Sequence, residues 1–139
     1  MKLTAKPENL NKMGQNTLSE HLGIEITEVG DDYIKGTMPV DKRTKQPAGI
    51  LHGGASVAFA ETLGSVASYS MVASSGKQIV GLEINANHLR PVTEGLVYGM
   101  AKAIHLGRKT HIWQIDITNE SKKLVCVCRF TVMIIEPLA

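Results

Sequence analysis

The chain has 139 residues, of which 43% are hydrophobic, 20% charged and only 4% aromatic. That length suits one domain, and the apolar content suffices for a core, which excludes disordered and collagen-like classes. Lys and Arg number 15 against 13 Asp and Glu, a formal net charge of +2, so neither nucleic acid nor an anionic membrane is expected as the main partner, and the few aromatics argue against a base-stacking platform.

The polar N-terminal stretch, MKLTAKPENLNKMGQN, lacks the apolar segment of a secretory signal. No run approaches the ~20 apolar residues of a membrane span, so a cytoplasmic location is the default expectation. Residues 7–22 read as one or two short helices, because Leu10, Met13, Leu18, His21 and Leu22 fall at near-helical spacing. Residues 23–29 alternate, with Ile24 and Ile26 against Glu25 and Thr27, as a strand does. Gly30-Asp31-Asp32 is a turn signal, and residues 33–40 form the returning strand of a hairpin. A polar loop, DKRTKQPAGI, follows over residues 41–50.

The sequence predicts one long helix over residues 53–74. Glu61 is its only charged residue, and apolar or small residues occupy every side. A helix of that composition is expected to be buried on most sides rather than amphipathic. Period-two segments then recur at residues 80–88, 96–104, 111–118 and 123–135, separated by short turns. In the first of these, Val80, Leu82, Ile84, Ala86 and His88 are expected to share one face. Short connections suit an antiparallel meander. The expectation is therefore an α+β fold whose curved sheet of five to six strands wraps one helix. Cys126 and Cys128, two apart on one strand face, read as buried and reduced, and two thiols are too few for a zinc site.

Burying an unpaired carboxylate is costly, so Glu61 needs a reason to stand in that helix. Solvent at a subunit edge or a backbone amide is the bland one. His52-Gly53-Gly54 opens the same helix, where unpaired N–H groups and the macrodipole favour developing negative charge, and glycine lets a ligand approach. Glu61 lies nine residues beyond His52, about 13 Å along a helix axis. A substrate must therefore lie along the groove beside the helix, or Glu61 must meet an oxyanion site from another subunit. Ser65 is one turn beyond Glu61, and Gln46 in the preceding loop offers an uncharged donor and acceptor. These pieces suggest hydrolysis of an activated acyl group. The motifs of nucleophile elbows, zinc proteases, phosphate loops and dinucleotide sites are absent from the sequence.

The run Gln46-Pro47-Ala48-Gly49-Ile50-Leu51-His52-Gly53-Gly54 followed by Ala60-Glu61 resembles the active-site segment of hotdog-fold acyl-CoA thioesterases. The match is to the Glu-type 4-hydroxybenzoyl-CoA thioesterase group, with the phenylacetate-pathway enzymes. Gly36-Thr37-Met38-Pro39-Val40, Thr44-Lys45-Gln46-Pro47, the segment Val80-Gly81-Leu82-Glu83-Ile84-Asn85-Ala86-Asn87-His88, and Trp113-Gln114-Ile115 narrow it further. They resemble the branch acting on 1,4-dihydroxy-2-naphthoyl-CoA in menaquinone biosynthesis and proofreading enterobactin synthesis.

The resemblance implies that Glu61 is nucleophile or general base, that the Gly53 amide polarises the thioester carbonyl with Gln46 and His52 close by, and that Ser65 positions water or the acyl group. It implies substrate contacts at Gly81, His88, Leu89, Arg90 and Pro91, and nucleotide and pantetheine contacts at His105, Leu106, Gly107, Arg108, Lys109 and Thr110. Arg108 and Lys109 suit CoA phosphates by charge, and a solvated turn is their other reading. Arg90 serves the acyl ring, CoA or a structural ion pair. On residue type alone His88 reads as a core histidine, and His21 and His111 as structural. Ala48 stands where relatives often carry Phe, which implies a wider acyl pocket or an altered preference, and Lys109-Thr110 departs from the polar residues usual there. The resemblance further implies acyl-CoA as substrate, no metal or organic cofactor, and a homodimer at least, with a dimer of dimers as the family norm. A hotdog hydratase or dehydratase, a non-catalytic acyl-CoA sensor and a structural interaction protein are the rival readings.

Overall fold

The structure, a computed structural model, describes residues 1–137; the last two positions of the chain lie outside it. Two short helices come first, α1 (Pro7–Met13) and α2 (Leu18–His21), where a seven-residue and a four-residue segment share the span predicted as one or two helices. Pro7 opens α1, and the Thr17 hydroxyl caps α2 by accepting the Ser19 N–H. The hairpin follows as β1 (Glu25–Val29) and β2 (Tyr33–Pro39). The long helix α3 spans Gly53–Val72, prolonged by a 3₁₀ turn over Ala73–Ser75. Strands β3 (Gln78–His88), β4 (Leu96–Leu106), β5 (Thr110–Thr118) and β6 (Leu124–Ile135) complete the chain.

All six strands form one antiparallel sheet in the order β1-β2-β4-β5-β6-β3. The expected four-strand meander holds for β4, β5 and β6 only. β3 leaves helix α3 at the far edge and pairs with β6, not with β4. Its outer edge is unpaired over 11 residues, with Val80 and Leu82 exposed.

Helix α3 lies across the concave face of the sheet. Phe59, Leu63 and Ala67, with Ala60, Gly64 and Ser68, form two adjacent i, i+4 rows that are wholly buried. Leu63 reaches the sheet where Gly36 and Gly99 face each other across β2 and β4. A Cβ at these positions would stand 2.9 and 2.6 Å from its methyl carbons. Gly64 likewise makes room for Phe130, which a Cβ there would meet at 2.6 Å. Burial on most sides does not follow within one chain: Ala58, Glu61, Thr62, Ser65 and Val66 are half-buried and Tyr69 is exposed. This second face is open because the sheet curls around only one side of the helix.

The parity of β3 also departs from expectation. A bulge between Gly81 and Glu83 shifts the register against β6. Ile79, then Ile84 and Ala86, pack on the core, while Val80 and Leu82 point outward. One extra residue thus moves half the strand to the opposite face. Cys126 and Cys128 are buried and free, as expected from their spacing, with sulfurs 3.6 Å apart.

Candidate active site

The residues leading into helix α3 are braced by their own backbone. Arg43 clamps Asp41 through its guanidinium and its N–H, which holds that carboxyl down to about 2. Buried Thr44 donates its hydroxyl to the Pro39 carbonyl at 2.8 Å. The Leu51 N–H donates to the Val92 carbonyl and the His52 N–H to the Thr44 carbonyl, both at 2.8 Å. Gln46 turns its side-chain carbonyl onto the Ala48 N–H, which fixes the loop tip.

His52 is the N-cap, with extended backbone at φ −69° and ψ 131°, and its Nδ1 accepts the Gly54 N–H at 2.8 Å. In the neutral ring the proton therefore sits on Nε2. No acceptor among the described residues answers the Gly53 N–H. A Cβ at Gly53 would stand 2.9 Å from His88 Nε2, so the His88 ring lies against the start of the helix. That placement, with His88 exposed, corrects the reading of His88 as a core histidine.

Glu61 lies eight residues further on, about 12 Å along the axis. Its half-buried carboxylate has no hydrogen bond or ion pair among the described residues. It sits against β3, where a Cβ at Gly81 would be 3.2 Å from Oε2. Thr62 and Ser70 donate their hydroxyls to carbonyls one turn back. Ser65 does not, and its hydroxyl faces the same groove as Glu61. That groove encloses about 800 Å³ between the open face of α3 and residues 10–26. Leu10, Met13, Leu18, Ile24 and Ile26 make its far wall. Sequence reasoning missed this wall. Met13 and Leu18, apolar yet exposed, were a signal that the short helices do more than pack on the sheet, but nothing local ties them to Glu61.

Within one chain, then, the expected site residues fall into three groups. Glu61 and Ser65 share the groove, with Gly81 beside the Glu61 carboxylate. Gln46, His52, Gly53 and His88 gather at the head of α3, with Leu89, Arg90 and Pro91 following at the end of β3. Leu89 is exposed, and its N–H donates to the Val125 carbonyl. Arg90 donates to the Leu124 carbonyl at 2.7 Å and makes no ion pair among the described residues. His105, Leu106, Gly107, Arg108, Lys109 and Thr110 form the β4–β5 turn at the opposite end of the sheet. There Thr110 pairs with Met133 while Gln78, which starts β3, pairs with Ile135. The 11 residues of β3 put the two expected substrate-contact segments roughly 30 Å apart. Arg108 and Lys109 are exposed in that turn and carry no ion pair among the described residues.

No group of three or more His, Cys, Asp or Glu that could hold a metal occurs among the described residues. Nor is any described helix long and apolar enough to cross a membrane.

Residues 48–126 match the family model of the thioesterase superfamily. The chain is 55% identical over 134 residues to a putative esterase of Haemophilus influenzae, covering 96% of each. It is 50% identical over 129 residues to the 1,4-dihydroxy-2-naphthoyl-CoA hydrolase of Escherichia coli, covering 92% of this chain and 93% of that one. Among solved structures, a thioesterase from Haemophilus influenzae superposes with a TM-score of 0.93 at 54% identity, over 99% of this chain and 96% of that one. A lone carboxylate on a helix wrapped by a six-stranded sheet, and sequence likeness along nearly the whole length, lead to the same place: the chain belongs to the thioesterase superfamily and has the hotdog fold.

Proposed function

We propose that the protein hydrolyses an acyl-CoA thioester to a free acid and CoA, with Glu61 as nucleophile or general base and the Gly53 N–H as oxyanion donor. The observation that carries this reading is the Glu61 carboxylate, half-buried and unpartnered in a groove of mainly apolar lining. As a base, Glu61 takes a proton from water as its oxygen adds to the thioester carbonyl. The oxyanion rests on the Gly53 N–H, then collapses, the C–S bond breaks, and the thiolate leaves with the proton held by Glu61. As a nucleophile, Glu61 displaces the thiolate itself, and water hydrolyses the resulting anhydride. Both routes restore the carboxylate. Ser65 orients the water or acyl group from one turn away, with Gln46 and His52 beside the carbonyl.

Glu61 and Gly53 of one chain are about 12 Å apart, too far to act on one carbonyl. The free edge of β3 supports the remedy. Two copies pairing β3 with β3 antiparallel would extend the sheet and cover Val80 and Leu82. A two-fold axis near Ile84 and Asn85 sets Gly81 of one copy opposite His88 of the other. Glu61 then meets the partner's Gly53, because Glu61 borders Gly81 and Gly53 borders His88. The same axis joins residues 88–91 of one copy to residues 105–110 of the other at one entrance for CoA. A homodimer is thus the minimal unit, and a dimer of dimers the family norm.

The acyl group we favour is aromatic, of the dihydroxynaphthoyl or benzoyl type, or medium-chain, in keeping with the named activity of the Escherichia coli relative and with a role in menaquinone biosynthesis in the cytoplasm. The hydratase reading is weaker, since the open Gly53 N–H with Gln46 in the preceding loop suits an acyl-transfer oxyanion rather than proton transfer at Cα–Cβ. The test is free-thiol release across benzoyl-, hydroxynaphthoyl- and straight-chain acyl-CoAs, with an enoyl-CoA followed for loss of its double bond. Thiol release without hydration is the expected result. Hydration without thiol release, or no turnover of any member, overturns the proposal.

A further inference from the structure

The groove that holds Glu61 does not end at Ser65. A second recess of about 360 Å³ continues along the same face of α3, lined by Tyr69, Gln78 and Ile79. Three residues border both spaces: Met13, Ser65 and Val66. Ser65 and Val66 are fixed on the helix, whereas Met13 is the last residue of α1 and reaches across from the opposite wall. Met13 is 49% exposed although the segment behind it is pinned. Asn11 grips the backbone of Ile26 at 2.9 and 2.8 Å through both ends of its amide, and Leu10 is buried beneath. A flexible thioether on a rigid mount is thus the movable part of this boundary.

We propose that Met13 is the specificity-determining residue that sets the length of the acyl group, closing the Glu61 groove against the recess at Tyr69 and Ile79. The inference rests on the thioesterase reading above and extends it. The recess shares three lining residues with that groove, and Tyr69 lies four residues beyond Ser65, about 6 Å further along the helix. An acyl group that enters past Glu61 and stops at Met13 is short or cyclic; one that passes Met13 gains apolar contacts with Val66, Tyr69 and Ile79. Shortening the Met13 side chain opens that path, and a larger ring blocks it further.

The test is kcat/KM for thiol release from benzoyl-CoA and from straight-chain acyl-CoAs of increasing length, measured on wild type, Met13→Ala and Met13→Phe. In the alanine variant the ratio of long-chain to benzoyl kcat/KM should rise about tenfold or more, the scale on which apolar pockets discriminate. In the phenylalanine variant it should fall below wild type. A length profile that stays the same in both variants, with wild-type turnover present, overturns the role of Met13 and leaves the thioesterase reading standing. Absence of thiol release in wild type sinks the thioesterase reading instead. If one variant fails to fold, the other still moves the ratio in its own direction or refutes the proposal. A general loss of activity with an unchanged ratio marks Met13 as merely structural.

Discussion

On the sheet side of helix α3, Ser68 Oγ accepts the Trp113 Nε1–H at 2.7 Å and meets His111 Nδ1 at 3.0 Å, all three groups shut away from solvent. On the groove side, Glu61 and Ser65 have no partner among the described residues. The same 20-residue helix therefore carries polar groups under two regimes. Where burial is complete, hydroxyl and indole groups are paired, because an unpaired one costs about 1–3 kcal/mol. Where burial is partial, a carboxylate stays unpaired at tolerable cost and keeps its lone pairs for something that arrives later. The contrast separates residues that hold the fold from residues that the fold holds ready.

The largest effect is expected on the groove side. Glu61→Ala should lower turnover by about 10²–10⁴-fold, the range of a positioned acid or base, while the denaturation midpoint stays within error of wild type. Loss of stability in step with activity would place Glu61 among the structural residues. Mixing Glu61→Ala with Gln46→Ala sharpens the comparison. If each site takes Glu61 from one copy and Gln46 from the other, exchanged heterodimers regain one intact site, and thiol release should reappear in a mixture of two impaired proteins. A mixture no more active than its components argues for sites contained in single chains.

The sheet side should answer in stability instead. Ser68→Ala leaves the Trp113 indole N–H, and His111 Nδ1 with it, buried without their common partner. A loss of about 2–4 kcal/mol is expected in denaturant unfolding, with KM for acyl-CoA barely changed in the folded fraction. A near-neutral result would mean that water replaces the hydroxyl, and that this face is less sealed than its geometry suggests.

Legibility in the sequence follows the same division between local and distant causes. The start of α3 was readable because capping is local: His52, Gly53 and Gly54 are adjacent in the chain and act on one another's backbone. The helix, the hairpin and the isolated carboxylate were readable from periodicity and composition. The edge position of β3 was not, since antiparallel strands with short connections fit more than one order, and pairing with β6 is decided by packing between distant residues. Nor was the outward direction of Val80 and Leu82, because one bulge at Gly81 and Glu83 inverts the alternation that the pattern assumes. Met13 and Leu18 form the groove wall only once β1 has positioned α1 through Asn11 and Ile26. The CoA contacts proposed for Arg108 and Lys109 call for a second copy of the chain, which no pattern in one copy displays.

The smallest effect belongs to His111, the one histidine that is fully buried. Its Nε2 is shut from solvent with no partner among the described residues. An imidazolium needs both N–H groups satisfied, so burial pushes the His111 pKa below its ordinary value, and the nearby His105 adds to the effect. A histidine held neutral in the native state takes up a proton more readily once unfolded. Its contribution to stability is therefore whole above the ordinary histidine pKa of about 6.5 and is lost as pH falls below it. Between about pH 7.5 and about pH 5.5, wild type should lose stability from this source. His111→Phe removes the titration and leaves Ser68 to accept from Trp113 alone, so its stability should change less over the same interval. Equal slopes in the two proteins would assign the acid sensitivity to other groups and reduce His111 to a packing residue. A flatter slope in the variant would show that the buried side of α3 is set by the neutral form of one imidazole, in the same helix whose open side keeps a carboxylate without a partner.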